Sequence, residues 1–351
     1  MNPADPAAAV CPAPLPETER VLLGHGSGGR LSADLITRLL VPALGAAAPG
    51  GPLEDAAVLA VGECELAIST DAYVVDPLFF PGGDIGALAV HGTVNDLAMR
   101  AAMPVALSIA YVVEEGLPLD VLRRVATAVG AAAHAAGVPV VTGDTKVVGR
   151  GAADRLFVVS TGLGRRLPGP APTAAGARPG DVILLSGPIG CHGVTVLSTR
   201  EGLGFEADVA SDTRPLHRLV ATMLTAAGDG VHALRDPTRG GLASALNEIA
   251  AASGVGMEIE ERALPVPEPV RAACELLGLD PAYVANEGCL VAFVAPGHAD
   301  TVLTAMRAHP EGAGAVRIGV VTDGGPVVVR TAMGSRRVLD LLAGEQLPRI
   351  C

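Results

Sequence analysis

The residues of this chain with the most chemical potential are a set of carboxylates, one lysine and one thiol. Asp71 follows the run Ala67-Ile-Ser-Thr70, and Asp144 follows Val138-Pro-Val-Val-Thr142-Gly143. Each is expected at the C-terminal end of a buried strand, where ligands collect in α/β sheets. Asp55 introduces a strand pattern, and Asp96 sits on a helical one between apolar neighbours. Hard oxygen donors from separate elements suit Mg2+ bridging nucleotide phosphates. Each acid also has a plain structural reading, Asp71 as a turn cap and Asp96 as a satisfied helix polar group. The four together, beside a glycine loop, favour a metal–phosphate site.

That loop is Gly24-His25-Gly26-Ser27-Gly28-Gly29. It fits G-x-G-x-x-G, the dinucleotide fingerprint, but the context is wrong. Only Val21-Leu22-Leu23 precedes it, and after a helical pattern over 31–40 a Pro/Gly-rich loop occupies 41–52 where a second strand belongs. Gly26, Ser27, Gly28 and Gly29 read better as a flexible loop over phosphates, with an ordinary turn as the alternative. Lys146 is the only lysine among 25 basic residues. Two residues after Asp144, it is expected near the same phosphates, to neutralise developing charge or move a proton; a surface ion pair is the other reading. Glu287, in Asn286-Glu-Gly288 just before a strand, is a candidate general base or a turn acid. Asn95, like Asn286, adjoins an acid. Asp236-Pro-Thr238-Arg239-Gly-Gly reads as a helix N-terminus, which either holds an anion or is simply capped. The sequence closes on Pro348-Arg349-Ile350-Cys351, read as a short mobile arm with a thiol at its tip. Arg349 is expected to offset the effect of the neighbouring α-carboxylate on that thiol.

These side chains must be positioned by the elements around them. Strand patterns fall at 56–61, 65–70, 105–113, 138–142 and 156–163, with helices at 85–102 and 118–136, making one α/β domain over 20–166. A Pro/Gly-rich linker around 168–180 follows. The alternation then restarts, with strands at 182–186, 231–234, 257–259, 289–294, 317–321 and 327–331. Helices are expected at the turn after 187–190 and at 213–227, 242–252, 268–277 and 298–308. This second α/β domain spans 176–340, between a disordered leader over 1–19 and the tail at 341–351.

Composition narrows the function. The chain of 351 residues buries a substantial core built from Ala, Val and Leu, since aromatics make up only 2%. A net charge of −12 argues against nucleic acid or an anionic membrane as partner. Six scattered cysteines without a C-x-x-C pair suit a reducing cytoplasm rather than zinc or disulfides. The start lacks the basic residues of a secretory signal.

The motifs taken together resemble the HypE family of hydrogenase maturation proteins, within the ATP-binding group of aminoimidazole ribotide synthetase, thiamine monophosphate kinase and selenophosphate synthetase. The resemblance runs from about Val21 to Cys351. It rests on His25-Gly-Ser-Gly-Gly29, Ser69-Thr-Asp-Ala-Tyr-Val-Val-Asp-Pro-Leu-Phe-Phe-Pro-Gly-Gly-Asp84 and His91-Gly-Thr-Val-Asn-Asp-Leu-Ala-Met99. Gly143-Asp-Thr-Lys-Val-Val148, Asp236-Pro-Thr-Arg-Gly-Gly241, Asn286-Glu-Gly288 and the Pro-Arg-Ile-Cys end complete it. His91 and Asn286 join the candidate residues on that ground. Glu54 departs from the pattern, where Asp commonly precedes Asp55.

The resemblance implies a two-domain aminoimidazole-ribotide-synthetase-like α/β (α+β) fold and a homodimer, with ATP bound by the N-terminal domains near the subunit interface. It implies that HypF loads a carbamoyl group onto Cys351, that the chain dehydrates it with ATP to a thiocyanate, and that cyanide passes to iron on the HypC–HypD complex. Two rivals remain: a small-molecule ATP-dependent kinase or synthetase of the same group, which leaves Cys351 idle, and a non-catalytic thiol carrier, which leaves the acids idle.

Overall fold

The computed structural model describes residues 20–26, 28–48, 53–202, 209–342 and 349–351. The expected leader at 1–19, Ser27 of the glycine loop and Pro348 of the tail lie outside the described residues. The first half builds one sheet from β1 (Ala57–Val61), β2 (Cys64–Tyr73), β5 (Ala102–Glu114), β6 (Val140–Val148) and β7 (Leu156–Arg166), in the order β1-β2-β7-β5-β6, with β3 (Phe79–Phe80) and β4 (Gly83–Asp84) a separate short hairpin. Every pairing in the five-stranded sheet is antiparallel except β5–β6. Before it, α1 (Arg30–Asp34), a π-helical stretch at Leu35–Leu40 and α2 (Val41–Ala43) run on as one helical segment. The loop expected from residue 41 therefore starts later.

Helices α3 (Ile85–Met99) and α4 (Leu119–Ala136) cover one face of this sheet. Asp84 caps α3, its Oδ1 accepting from Gly86 N and Ala87 N at 2.8 and 2.9 Å. Side chains alternate along a strand, so Ala67, Ser69, Asp71 and Tyr73 of β2 turn toward the helices, whereas Ile68, Thr70 and Ala72 turn away. Among the described residues no helix of the first half packs on that other face, where Leu59, Val61, Ile68 and Leu163 are exposed.

The second half builds a seven-stranded sheet, ordered β14-β13-β10-β12-β8-β11-β9. Its strands are β8 (Val182–Leu185), β9 (Val231–Arg235), β10 (Gly256–Glu260), β11 (Val291–Val294), β12 (Val316–Thr322), β13 (Val327–Arg330) and β14 (Arg336–Val338). Among the described residues, five α-helices accompany it: α5 (Cys191–Glu201), α6 (His217–Ala227), α7 (Gly241–Ser253), α8 (Glu268–Leu277) and α9 (Ala299–Arg307). Here both faces are buried. Ile183, Leu185, Val291 and Phe293 pack on the α7 side, and Val182, Leu184, Ala292 and Val294 on the α6 and α9 side. That explains why β8 and β11 read as unbroken apolar runs. Helix α6 starts at His217 and not at 213, because the preceding segment is held by α3: Asn95 Oδ1 accepts from Leu216 N at 2.8 Å, and His91 Nδ1 lies 3.0 Å from Thr213 Oγ1. No helix among the described residues is long and apolar enough to cross a membrane.

Candidate functional site

Between the two sheets lies a cavity of about 240 Å3 whose walls come from both halves of the chain. Asp71 and Tyr73 come from β2, Gly92 and Asp96 from α3, and Asp55 from the residues before β1. The second half supplies Arg235 at the end of β9, the turn Asp236-Pro237-Thr238-Arg239, then Ser244 and Glu248 of α7, and Glu287 before β11. Cys351 lies inside it.

The acids are crowded. Asp55, Asp96 and Asp236 each offer a carboxylate oxygen within 4.8 Å of the others. Burial raises the Asp55 carboxyl to about 8, partly offset by the Arg235 guanidinium 2.8 Å away and reinforced by Asp236 and Glu248. Asp236 is pushed to about 6, again chiefly by burial. Asp96 is held well above the carboxylate range by burial and by Asp71, Asp236 and Asp55, although Ser69 Oγ donates to it at 2.6 Å. Arg235 reaches Asp55 and Glu248 at once, so it cannot neutralise three further acids. Concentrated negative charge on hard oxygen donors fits a divalent cation. The expected ligand set is thereby redrawn. Asp55 and Asp96 stand together, Asp71 is on the wall, and Asp236 occupies the place anticipated for Asp144.

Asp144 and Lys146 are elsewhere. They lie within β6, at the exposed edge of the sheet, and pair with each other at 2.8 Å with 61% and 70% of their side-chain surfaces open. The strand anticipated as buried and closing before Asp144 is neither. Register shows the geometric obstacle: Asp71 pairs with Ser160 and Ser160 with Ile109, on the helix-covered face, whereas Asp144 pairs with Ala110 and Lys146 with Val112, on the open face. Within one chain Lys146 and Asp71 sit on opposite sides of the sheet.

Of the glycine loop, Gly28 reaches the cavity. It adopts φ 76, and a Cβ on it would stand 2.7 Å from that of Arg239, whose Nη1 donates to the Gly26 carbonyl at 2.9 Å. Gly26 and Gly29 flank the contact without lining the cavity, and Arg239 and Thr238 sit on its wall. Three other candidates are spent on structure. Asn95 donates to the Arg214 and Glu287 carbonyls while accepting from Leu216 N. Asn286 accepts from Gly190 N at 2.6 Å and donates to the Pro237 carbonyl at 2.8 Å. His91 is buried against Thr213, and that burial, with His217 beside it, lowers its pKa to about 4. Glu54 turns away from the acids, pairing with Arg100 at 2.9 Å and accepting from Ala174 N at 2.9 Å, which ties the first sheet to the linker.

Glu287 is buried, and its Oε1 has no hydrogen-bond partner among the described residues. Burial, reinforced by Asp236, Asp212 and Asp71, holds this carboxyl well above its ordinary range, with Arg239 opposing. Residues 349–351, which bring Cys351 here, are docked on the first half, whereas the expected arm was mobile over 341–351; 343–348 lie outside the described residues. Val74 N donates to a main-chain carboxylate oxygen of Cys351 at 3.1 Å and Asp76 N to the Arg349 carbonyl at 3.2 Å. Ile350 is buried in the first core. Arg349 is drawn off to Asp76 and Asp154, so the cation beside the thiol is Arg239 rather than Arg349. Burial pushes the Cys351 thiol up, with Glu287 and Asp71 adding and Arg239 opposing. Asp236, Arg235 and Glu248 were the residues a linear reading missed as site components. Asp-Pro-Thr-Arg reads as a helix N-terminus that either holds an anion or is capped, and it faces the first half through the adjacent Arg235, which pairs with Asp55 at 2.8 Å.

The arrangement can hold a cation and a polyphosphate beside a thiol and a proton acceptor. Residues 53–166 match the AIR synthase related protein N-terminal domain, and residues 178–331 the C-terminal domain of the same family. The carbamoyl dehydratase HypE of Cupriavidus necator is 54% identical over 334 residues, which cover 95% of each chain. A crystal structure of HypE in complex with ATP superposes with a TM-score of 0.79 at 50% identity, over 95% of this chain and 100% of the other. One of a HypE–HypF complex gives 0.83 at 42% identity, over 88% and 99%.

Proposed function

The chain belongs to the HypE family of carbamoyl dehydratases, within the AIR synthase related proteins, and from that premise we propose that it dehydrates an S-carbamoyl group on Cys351 to a thiocyanate, consuming ATP, in the maturation of [NiFe]-hydrogenase. The observation carrying this reading is the meeting of Cys351 and the buried Glu287 in one acid-walled cavity. ATP as the second substrate is supported by the ATP complex of a relative. HypF as the source of the carbamoyl group is supported by the HypE–HypF complex. Cyanide then passes to the HypC–HypD complex, and the setting is the cytoplasm.

The chemistry explains why such residues are needed. An amide oxygen is a poor leaving group. When the carbamoyl oxygen attacks the γ-phosphorus, ADP departs and the oxygen becomes part of a phosphate ester. The nitrogen gives up one proton in that step and a second as phosphate leaves and the C≡N bond forms. Glu287 is the proton acceptor in this scheme: it lines the cavity, its buried Oε1 is unpartnered among the described residues, and its raised pKa makes it a strong base once ionised. Arg239 and the turn at Asp236–Gly240 suit the polyphosphate side, and Gly28 lets the glycine loop close over it. Asp55, Asp96 and Asp236 would hold Mg2+, with Asp71 near. Bound there, Mg2+ offsets the charge of the acids and the polyphosphate together and favours ionised carboxylates around the thiol.

Docking of the tail is closely balanced. Burying Ile350 is worth about 1.5–3 kcal/mol and each main-chain hydrogen bond about 1. Ordering costs about 1–2 kcal/mol per residue. A tail that binds and leaves is what a carrier visiting two partners requires. We further propose a homodimer through the open face of the first sheet, with 20–166 and 176–340 as the two folding units. A core drawn wholly from residues 174–339 supports the second unit, and the exposed Leu59, Val61, Ile68 and Leu163 support the interface. Because Asp144 and Lys146 share that face, a second copy is the route by which they reach a cavity.

Intact-protein mass tests the reading. With HypF and its substrates, Cys351 should gain a carbamoyl group that loses one water only when hydrolysable ATP is present. An adduct unchanged by ATP would leave a passive carrier. No adduct, with Cys351→Ala indistinguishable from the parent, would point to a small-molecule enzyme.

A further inference from the structure

One buried polar side chain beside the site is used by no step above. His192, in the first turn of α5, is fully enclosed. Its Nε2 lies 2.8 Å from the Ile350 carbonyl oxygen and its Nδ1 2.8 Å from Ser211 Oγ. A carbonyl only accepts, so Nε2 carries the hydrogen. Ser211 Oγ already accepts from Thr213 N at 3.2 Å, which leaves its hydroxyl hydrogen for the bare Nδ1. The neutral ring is satisfied on both sides, and burial keeps it neutral by lowering its pKa. Phe80 stands edge-on to it, centroids 5.4 Å apart.

Among the described residues, the other main-chain hydrogen bonds and the ion pairs of residues 349–351 go to the first half of the chain: Val74, Asp76 and Asp154. Among the described residues, His192 supplies the main-chain hydrogen bond that ties residues 349–351 to the second half, where the Cys351 side chain meets Glu287. That half also carries Glu287, and the same short segment aligns both. Ser211 fixes the His192 tautomer, while Asp212 accepts from Glu287 N and Gly288 N at 3.1 and 2.9 Å.

We propose that His192 is a positioning residue whose Nε2–H, donated to the Ile350 carbonyl, sets the register of the docked tail so that the Cys351 thiol stops beside Glu287. This rests on Cys351 being the reacting thiol, but its test does not require turnover. Iodoacetamide is applied to the full-length chain without ATP or partner, and the rate of Cys351 modification is read on the C-terminal peptide by mass. His192→Phe keeps a ring of similar shape and removes both nitrogens; it should raise the rate about tenfold, the scale of one lost buried hydrogen bond. His192→Gln, whose amide nitrogen reaches the place of Nε2, should stay near the parental rate, whereas His192→Asn, which mimics only Nδ1, should follow Phe. Equal rates in parent and Phe variant would overturn the assignment, as would a Gln variant as fast as Phe. If melting shows that the Phe variant does not fold, Ser211→Ala decides. It releases the tautomer, so faster Cys351 modification supports the assignment and an unchanged rate overturns it. Failure of carbamoyl dehydration with normal protection of Cys351 would strike the proposed reaction and leave His192's role intact.

Discussion

At the residue scale the site is governed by charge held out of water. Asp55 and Asp236 titrate at about 8 and about 6, against 3.8 for an ordinary Asp. A folded-state value raised above the unfolded one means that the native chain binds protons the unfolded chain has lost, so these groups favour folding at low pH and stop doing so as pH rises through their folded values. Without divalent cation, the melting temperature should therefore fall between about pH 4 and about pH 8, from the unfolded to the folded values. Mg2+ should flatten that slope, and Asp55→Asn with Asp236→Asn should flatten it without Mg2+. Scanning calorimetry across pH, with and without chelator, measures both. A slope indifferent to Mg2+ and to the double substitution would remove the acid cluster as a cation site. Asp55 and Asp96 were legible as candidates because an acid next to an apolar periodic run stands out in one dimension. Asp236 was legible as part of a helix N-terminus that holds an anion or is capped, but not as a member of the acid cluster, since nothing in Asp-Pro-Thr-Arg says which way the turn faces.

At the scale of elements, the site depends on how closely α3 lies on β2. Gly92 permits that approach: a Cβ there would stand 2.2 Å from Tyr73 Oη, whose hydroxyl donates to Asp71 Oδ2 at 3.1 Å. Gly92→Ala should push the helix off the strand, cost about 1–3 kcal/mol as an overpacked core does, and separate Asp96 from Asp55 and Asp236. Denaturant unfolding measures the first effect, and cation-dependent stabilisation, expected to weaken in parallel, the second. Periodicity located most strands and helices because burial enforces it: α8 occupies 268–277 and α4 ends at Ala136, capped by Gly137, as the pattern requires. It missed β14, where Arg336-Arg-Val338 is a short polar edge strand with little apolar signal, and it ended β2 too early, since a cavity-facing acid inside a strand looks like a strand end.

For the molecule as a whole, the open sheet face and the position of Lys146 lead to one experiment. Lys146→Ala and Glu287→Gln should each accept carbamoyl on Cys351 and fail to dehydrate it. Co-refolded or co-expressed, the two should recover activity that neither has alone, because a mixed dimer holds one site with Glu287 from one chain and Lys146 from the other. No recovery, in mixtures shown by mass to exchange subunits, would exclude a site shared between copies.

The sequence alone determined which groups are available and in what order: the acids, the single lysine, Glu287, the glycine loop, the terminal thiol and the alternating elements around them. These follow from local composition and period, which depend only on neighbours in the chain. Tertiary structure alone decided which of them meet. Face is set by strand register, so Asp71 went inward while Asp144 and Lys146 went outward. The route of the tail is set by main-chain bonds to residues 74–76 and by His192, more than 150 positions away in the chain. Contacts across such separations carry no local signal, and through them Cys351 comes to rest beside Glu287.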